Sequence, residues 1–248
     1  MDLPRIYTIR QNSHRIINPF TPEKLATLGR AVGLRTGQSI LDLCCGKGEM
    51  LATWARDHAI SGIGVDISTV SLDAARERAA ELQVADRVRF VHDDASGYVS
   101  AEPVDVAACI GATWIGNGVA GTVALLERSL RPGGLMLIGE PFWRAEPRTQ
   151  QAIEACHARS RDEFETLPDL VTRFGDLGYD LVEMVLADED SWDRYHAAQW
   201  LNIRTFLDAN PDDELAPQLR AELTRLPMEH VRYARELLGW GVFALMRR

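Results

Sequence analysis

The ten residues from Leu41 to Met50, Leu-Asp-Leu-Cys-Cys-Gly-Lys-Gly-Glu-Met, have the composition of a turn that holds a ligand by its backbone. An apolar run enters the turn and a helical pattern leaves it. Glycines at 46 and 48 let the chain come close to a ligand where a Cβ would clash. Asp66 ends the next apolar run, 18 positions after Gly48. That spacing suits a carboxylate accepting hydrogen bonds from ribose hydroxyls. A dinucleotide fingerprint, Gly-x-Gly-x-x-Gly, needs a third glycine to pack its helix beside a pyrophosphate. Counted from Gly46 that position is Leu51, which argues against a hydride-transferring dehydrogenase. The phosphate-loop pattern fails as well, because Glu49 follows Gly48 where Lys-Ser or Lys-Thr is required. A nucleoside site with no phosphate demand remains.

The elements that must position this turn alternate along the first two-thirds of the chain. Short apolar strands are predicted at 39–43, 62–66, 88–92, 104–110 and 135–139, with helices at 50–58, 68–82 and 119–130. Strand, helix, strand at this spacing predicts an α/β chain with a parallel sheet and right-handed crossovers. Two more strands are predicted at 179–186 and 240–246. Insertions at 141–168 and 187–239 follow strand ends. The second reads as helical, with Trp192, Tyr195, Gln199, Ile203 and Phe206 at helical spacing, and with helices over 216–226 and 228–238. Ligands of open α/β sheets sit outside the carboxyl ends of the strands, so both insertions are placed to cover one. The plainer alternative is that they only pack a sheet edge.

A length of 248 residues, 46% of them hydrophobic, suits one large α/β domain over 1–248. The net charge of -9 and the lack of clustered Lys and Arg disfavour a nucleic-acid partner. No apolar run is long enough to span a bilayer and no apolar signal core opens the chain, so the expected location is the cytoplasm, with no membrane partner. Cys44, Cys45, Cys109 and Cys156 show neither a disulfide framework nor a metal-ligand spacing, so no metal is expected. Nothing in the sequence fixes an oligomeric state.

Asp42-x-Cys44-x-Gly46-x-Gly48 resembles the first motif of class I S-adenosylmethionine-dependent methyltransferases. Gly64-Val-Asp66-Ile67-Ser68 resembles the ribose-binding second motif, and His92-Asp93-Asp94-Ala95 the adenine-binding third. Asp105 to Gly111 resembles the fourth strand, and Leu130 to Leu135 the turn before the fifth. One such motif alone is weak, but five in order over 38–140 are specific. Outside them, Ser13 to Phe20, Gly111 to Ile115, Gly139 to Trp143 and Gly239 to Ala244 resemble the YjhP-like group of bacterial methyltransferases.

The resemblance implies a Rossmann-like class I methyltransferase fold. That fold is a three-layer sandwich around a seven-stranded, mostly parallel sheet whose last strand is antiparallel. It also implies an N-terminal helical segment over 1–37, a cofactor-binding core over 38–140, and the two insertions as a substrate cover. S-adenosylmethionine is the implied cofactor and a small molecule the implied methyl acceptor. Asp42, Cys44, Gly46 and Gly48 are implied at the amino-acid end of the cofactor. Asp66 is implied on the ribose, Ile67 against the adenine, Asp94 and the Ala95 N–H on the adenine edge, and Ile110 and Gly111 beside the methionine part. Cys44 stands where the family usually has glycine. If its φ is positive, that residue stores strain.

The chemistry leaves the acceptor contacts open. Methyl transfer from a sulfonium is an in-line displacement whose electrophile the cofactor supplies, so a general base is optional. Glu140, at the end of strand five, and His14, in a segment able to fold over the cofactor, are the candidate catalytic residues. Trp114, Trp143, Tyr195 and Arg204 are the candidate substrate contacts, with Trp192 and Trp200 as further pocket walls or plain core. Two other readings stay open. Cys44, Cys45 and Cys109 converging as a soft-ion site would make a metalloid (arsenite or mercury) methyltransferase. A sealed acceptor side would make a non-catalytic S-adenosylmethionine-binding module. Hydrogen bonds to a charged group contribute roughly 1.5–3 kcal/mol each. Asp66→Ala is therefore expected to weaken S-adenosylmethionine binding by at least about tenfold, and calorimetry giving an unchanged affinity would remove Asp66 from the site.

Overall fold

The computed structural model describes residues 4–248. The expected N-terminal segment therefore has its first three residues outside the described ones. Among the described residues the apolar runs pair into a seven-stranded sheet: β1 (Ser39–Leu43), β2 (Ser61–Asp66), β3 (Val88–His92), β4 (Val104–Ile110), β5 (Leu130–Trp143), β6 (Tyr179–Leu186) and β7 (Leu238–Arg247). Their order is β3-β2-β1-β4-β5-β7-β6. The strands run parallel except β7, which lies antiparallel between β5 and β6.

Helices cover both faces, which is why β1 and β4 carry almost unbroken apolar runs rather than an apolar-polar alternation. Within β4, Val106 and Ala108 face one side, where they meet α2 (Pro22–Ala31), α3 (Glu49–His58) and α4 (Thr69–Glu81). Ala107 and Cys109 face the other, against α5 (Val119–Glu127) and α7 (Leu167–Asp176); α6 is Gln150–Ala155. Ser68 caps α4 by accepting from the Ser71 N–H at 3.2 Å. Asp188 does the same for α8 (Glu189–Ala209), from Ser191 at 2.8 Å.

The chain order reverses between β1 and β4, which opens a crevice at their carboxyl ends. A helical cap closes over it. α1 (Arg5–Arg10) packs with α8 and α9 (Ala216–Glu229) through a small core of their own, formed by Ile9, Ile203, Leu207, Ala216 and Leu219. Arg10 reaches Glu222 at 3.0 Å, and Asn202 Nδ2 donates to the Arg10 carbonyl at 2.8 Å. No helix among the described residues is long and apolar enough to cross a membrane.

Three boundaries differ from expectation. β5 runs from Leu130 to Trp143 rather than 135–139, because β7 pairs along it as far as Trp143 with Leu238. The Arg131–Gly134 turn survives only as a register shift against β4. The helix before it stops at Glu127 instead of 130. The two helices expected at 216–226 and 228–238 are one run. α9 passes through Pro227, which lacks the N–H a continuing helix uses, and the backbone widens into a π turn over His230–Ala234.

Gly48 joins β1 to α3 with φ at +67°, and a Cβ there would lie 2.6 Å from Phe90 and 2.8 Å from Ala75. Gly48→Ala combines a left-handed penalty with overpacking, and is expected to destabilise the protein by about 2–4 kcal/mol. Urea denaturation measures it, and a loss under about 0.5 kcal/mol would refute the assignment.

Candidate active site

The turn after β1 is held from below. Asp66, at the end of β2, accepts from the Gly46 N–H at 2.8 Å and from the Ser68 N–H at 2.9 Å. One carboxylate thus fixes the glycine turn and the start of α4 together. Cys44 lies at φ +61° and Gly46 at +52°. The Cβ of Cys44 therefore sits in a conformation that costs roughly 1–2 kcal/mol for an L-residue, as expected for a side chain in place of glycine. Glu49, buried at the start of α3, pairs with Arg78 of α4 at 2.8 Å on both oxygens. This locks the two helices that follow the ligand-facing turns.

A cavity of about 620 Å³ opens above this turn. Asp42, Cys44, Gly46, Asp66, Ile67, Asp94, Ala95, Ile110 and Gly111 all line it; Gly48, one turn deeper, packs against Phe90 instead. Asp42 is only 4% exposed and Asp66 8%. Neither forms an ion pair among the described residues. Burial, and then the neighbouring Asp66 charge, push the Asp42 carboxyl well above the usual range. Asp94 accepts from the Ser96 N–H at 2.9 Å, and that bond holds its carboxyl below the usual range.

A second cavity, of about 880 Å³, shares a wall with the first. Tyr7, Ile17, Asn18, Gly111, Trp114 and Asn117 line both. Trp114 is 71% exposed on a 3-10 turn at Thr113–Gly116. That turn is pressed onto α5 so closely that a Cβ on Gly121 would lie 1.9 Å from the Gly116 carbonyl. Glu140 lines the second cavity, 9% exposed, and accepts from Thr113 Oγ1 at 2.7 Å. Burial raises its carboxyl to about 7, against the pull of the Thr113 bond and with a push from Glu165. A carboxyl poised there can gain or lose a proton near neutral pH. Tyr195 and His196 stand on the same wall. The His196 ring stacks on Trp192 at 5.4 Å, and burial, followed by His230 and His157, lowers its pKa to about 3, so it is neutral. Tyr7 is pushed up to about 12 by burial and by Asp66.

Three expected contacts lie elsewhere. His14 lines neither cavity: its Nε2 donates to the Tyr195 carbonyl at 3.0 Å and its ring packs edge-on against Tyr195, which makes it a brace for α8. Trp143 is core; its Nε1 donates to the Arg161 carbonyl at 2.7 Å. Arg204 lies on the outer face of α8, paired with Asp208 one turn on. The three thiols do not gather at one point: Cys44 and Cys109 meet on one face of the sheet, and Cys45 is turned away from them, under Gly64. Among the described residues no three His, Cys, Asp or Glu side chains are grouped to hold a metal ion, and all four cysteines are free.

Several lining residues carried no sequence signal. Tyr7, Ile17 and Asn18 come from the N-terminal segment. They reach the site because Lys47 Nζ donates to the Gln11 and Asn12 carbonyls at 2.8 and 3.1 Å. His196 was findable: it follows Trp192 by four positions and precedes Trp200 by four, on one helical stripe.

Comparison with known proteins gives this geometry relatives. A methyltransferase domain model matches residues 40–134. The uncharacterized protein YjhP of Escherichia coli (strain K12) is 58% identical over the full length of both chains. A crystal structure of a SAM-dependent methyltransferase from Geobacter sulfurreducens, in complex with S-adenosyl-L-homocysteine, superposes with a TM-score of 0.98 at 61% identity. It covers 100% of this chain and 99% of that one. A second SAM-dependent methyltransferase complex with the same ligand, from Thiobacillus denitrificans, gives 0.98 at 58% identity over 100% of both chains.

The raised Asp42 carboxyl has a stability consequence with a definite sign. A carboxyl whose folded pKa lies above its unfolded value costs nothing below the unfolded pKa. It destabilises progressively as pH rises toward the folded one. At neutral pH Asp42→Asn is therefore expected to raise Tm, by about 2–4 °C for each kcal/mol regained, with little effect at strongly acidic pH. A Tm that falls at neutral pH in differential scanning calorimetry would contradict the burial argument.

Proposed function

The chain belongs to the YjhP-like group of S-adenosylmethionine-dependent methyltransferases, and from that membership we propose that it methylates a small molecule held in the second cavity, with Glu140 as general base. The observation that carries this reading is the shared wall. The cavity that suits the cofactor shares Gly111, Trp114 and Asn117 with a second one large enough for a metabolite. An adjoining cavity of that size favours catalysis over a module that merely binds the cofactor.

The residues of the first cavity fit S-adenosylmethionine. Two buried carboxyls, Asp42 and Asp66, stand without a basic partner. A ligand carrying a sulfonium and an ammonium relieves that arrangement, whereas a phosphate would aggravate it. Asp66 would hold the ribose hydroxyls with the lone pairs left over from its two backbone bonds. Asp42 and the turn of Cys44 and Gly46 would hold the amino-acid end, Ile67 would cover the adenine, and Asp94 with Ala95 would meet its edge. Ile110 and Gly111 would border the reacting end. The bound cofactor supplies an electrophilic methyl group; the chain supplies alignment, exclusion of water and a proton acceptor. Alignment alone provides about 7–11 kcal/mol of barrier reduction. Trp192, Trp200, Trp240 and Tyr195 wall the second cavity with apolar rings. Glu140 receives the acceptor's proton, and Thr113 Oγ1 keeps its carboxyl turned toward that task.

The experiment feeds the protein a bacterial metabolite extract with methyl-labelled S-adenosylmethionine and identifies labelled products by mass spectrometry. With the acceptor so found, Glu140→Gln should lower kcat by about 10²–10⁴-fold. As a base, Glu140 works deprotonated. Native activity should therefore rise with pH through about 7, and the rise should vanish in the variant. Equal kcat for the two proteins at every pH would remove Glu140 from the chemistry.

A further inference from the structure

The charges lining the second cavity are unevenly committed. Arg10 is held by Glu222 through its Nε at 3.0 Å and a second nitrogen at 2.5 Å. Arg159 is held by Glu163 at 3.1 Å, and Asp162 lies 3.6 Å from Arg161. His157 and His196 are shifted by burial toward the neutral form. Glu140 is the exception. It is the deepest of the cavity's acids, and among the described residues its only polar side-chain partner is the Thr113 hydroxyl. The cavity thus holds one buried acid with no cation, and no uncommitted cation for an anion.

The neutral contacts point the same way. Gln11 is 5% exposed on this wall. Its Nε2 donates to the Tyr195 hydroxyl at 3.0 Å, and its carbonyl oxygen has no partner. The rings of Phe164, Trp192, Tyr195, Trp200 and Trp240 join those of Tyr7 and Trp114 in the lining. Aromatic faces attract cations and accept flat apolar bodies, and do nothing for a carboxylate or phosphate. Trp192 Nε1 and His196 Nε2 are also buried without a partner beside this lining.

Resting on the methyltransferase reading above, we propose that the acceptor is an amine on an aromatic or apolar body, entering the second cavity as its ammonium ion with Glu140 as counter-ion. The proton passes from nitrogen to the Glu140 carboxylate. The freed lone pair forms the new N–C bond, and the electron pair of the breaking C–S bond stays on the leaving sulfur. The products are the methylated amine, still protonated when it carried a second N–H, the neutral thioether and a protonated Glu140, which returns its proton to solvent.

The test uses three probes of one shape, 2-phenylethylamine, 2-phenylethanol and phenylacetate, titrated into the S-adenosylhomocysteine complex and followed by tryptophan fluorescence. The amine should bind at least about tenfold more tightly than either of the others. Glu140→Gln should weaken the amine by at least about tenfold and leave the alcohol unchanged. Calorimetry with S-adenosylhomocysteine is run on both proteins, which also shows that the variant is folded. With labelled S-adenosylmethionine in place of the product, transfer to nitrogen is expected. An amine that binds no better than the carboxylate, both undetectable included, overturns the proposal, as does an amine affinity that Glu140→Gln does not move. If the native protein fails to bind S-adenosylhomocysteine at all, the methyltransferase reading falls first and takes the amine with it.

Discussion

Two backbone N–H groups converge on the carboxylate of Asp66, one from the glycine turn after β1 and one from the start of α4. Charge-assisted bonds of this kind contribute roughly 1.5–3 kcal/mol each, and here they are made by an acid that must also face a cavity. The charge cannot be neutralised by a lysine or arginine without filling the space a ligand needs. The arrangement therefore places a second acid, Asp42, beside an uncompensated negative charge in a buried site. The left-handed Cys44 adds backbone strain at the same turn. The turn is held in shape at a cost to stability, which a ligand bringing positive charge would recover. That is preorganisation in its ordinary form: the protein is ordered before the ligand arrives, so little is spent on ordering when it does.

The wall between the two cavities is built from parts of the chain that are far apart in sequence. Ile17 rests on the glycine turn, 3.3 Å from where a Gly46 Cβ would be, and Lys47 of that turn holds the Gln11 and Asn12 carbonyls. The same N-terminal segment is anchored to the insertion helices by the small core around Ile9 and by Arg5 and Arg10, paired with Asp213 and Glu222. Tyr7, Ile17 and Asn18 can line both cavities only because both anchors hold. A disturbance at α9 therefore reaches the cofactor side through α1, with no need for a longer chain of contacts.

The sheet was legible in the sequence because its signal is local. Apolar runs of five to seven residues mark β1 and β4, and the order of five motifs marks the crevice between them. The residues lining the first cavity were legible for the same reason, since they lie at or just after strand ends. What escaped was tertiary. β5 outran its expected end because β7, which begins at Leu238, 95 residues after β5 ends at Trp143, pairs with its last four residues. Trp143 looked like a pocket wall and became core through that extension. His14 was read as a ligand contact from its type, yet its Nε2 is consumed by the Tyr195 carbonyl. Arg204 sits on α8 at a position whose helical phase points outward, and the stripe through Trp192 and Ile203 already implied as much. The acceptor wall drew on Tyr7 and Gln11, whose placement depends on packing against helices that no local pattern ties to them.

Burial acts in opposite senses on the two kinds of acid and base in the second cavity, and the outcome is coherent. It lowers His196 until the ring is neutral and raises Glu140 toward neutrality. Both shifts reduce the charge enclosed when the cavity is empty, since a low-polarity space penalises any unpaired ion. Methyl transfer moves a positive charge from sulfur to the acceptor within that space. For the ammonium proposed above, the methylated product keeps that charge, and the proton Glu140 removes is the one that blocks the nitrogen lone pair. A carboxyl balanced near neutral pH suits that step, because it can take the proton ahead of the new bond and later return it to solvent. Glu140 is suited to that exchange by its depth, and Thr113 stops short of pinning it as an ion. A stronger partner, such as an arginine, would hold the carboxylate permanently charged and remove the use as a base proposed for it.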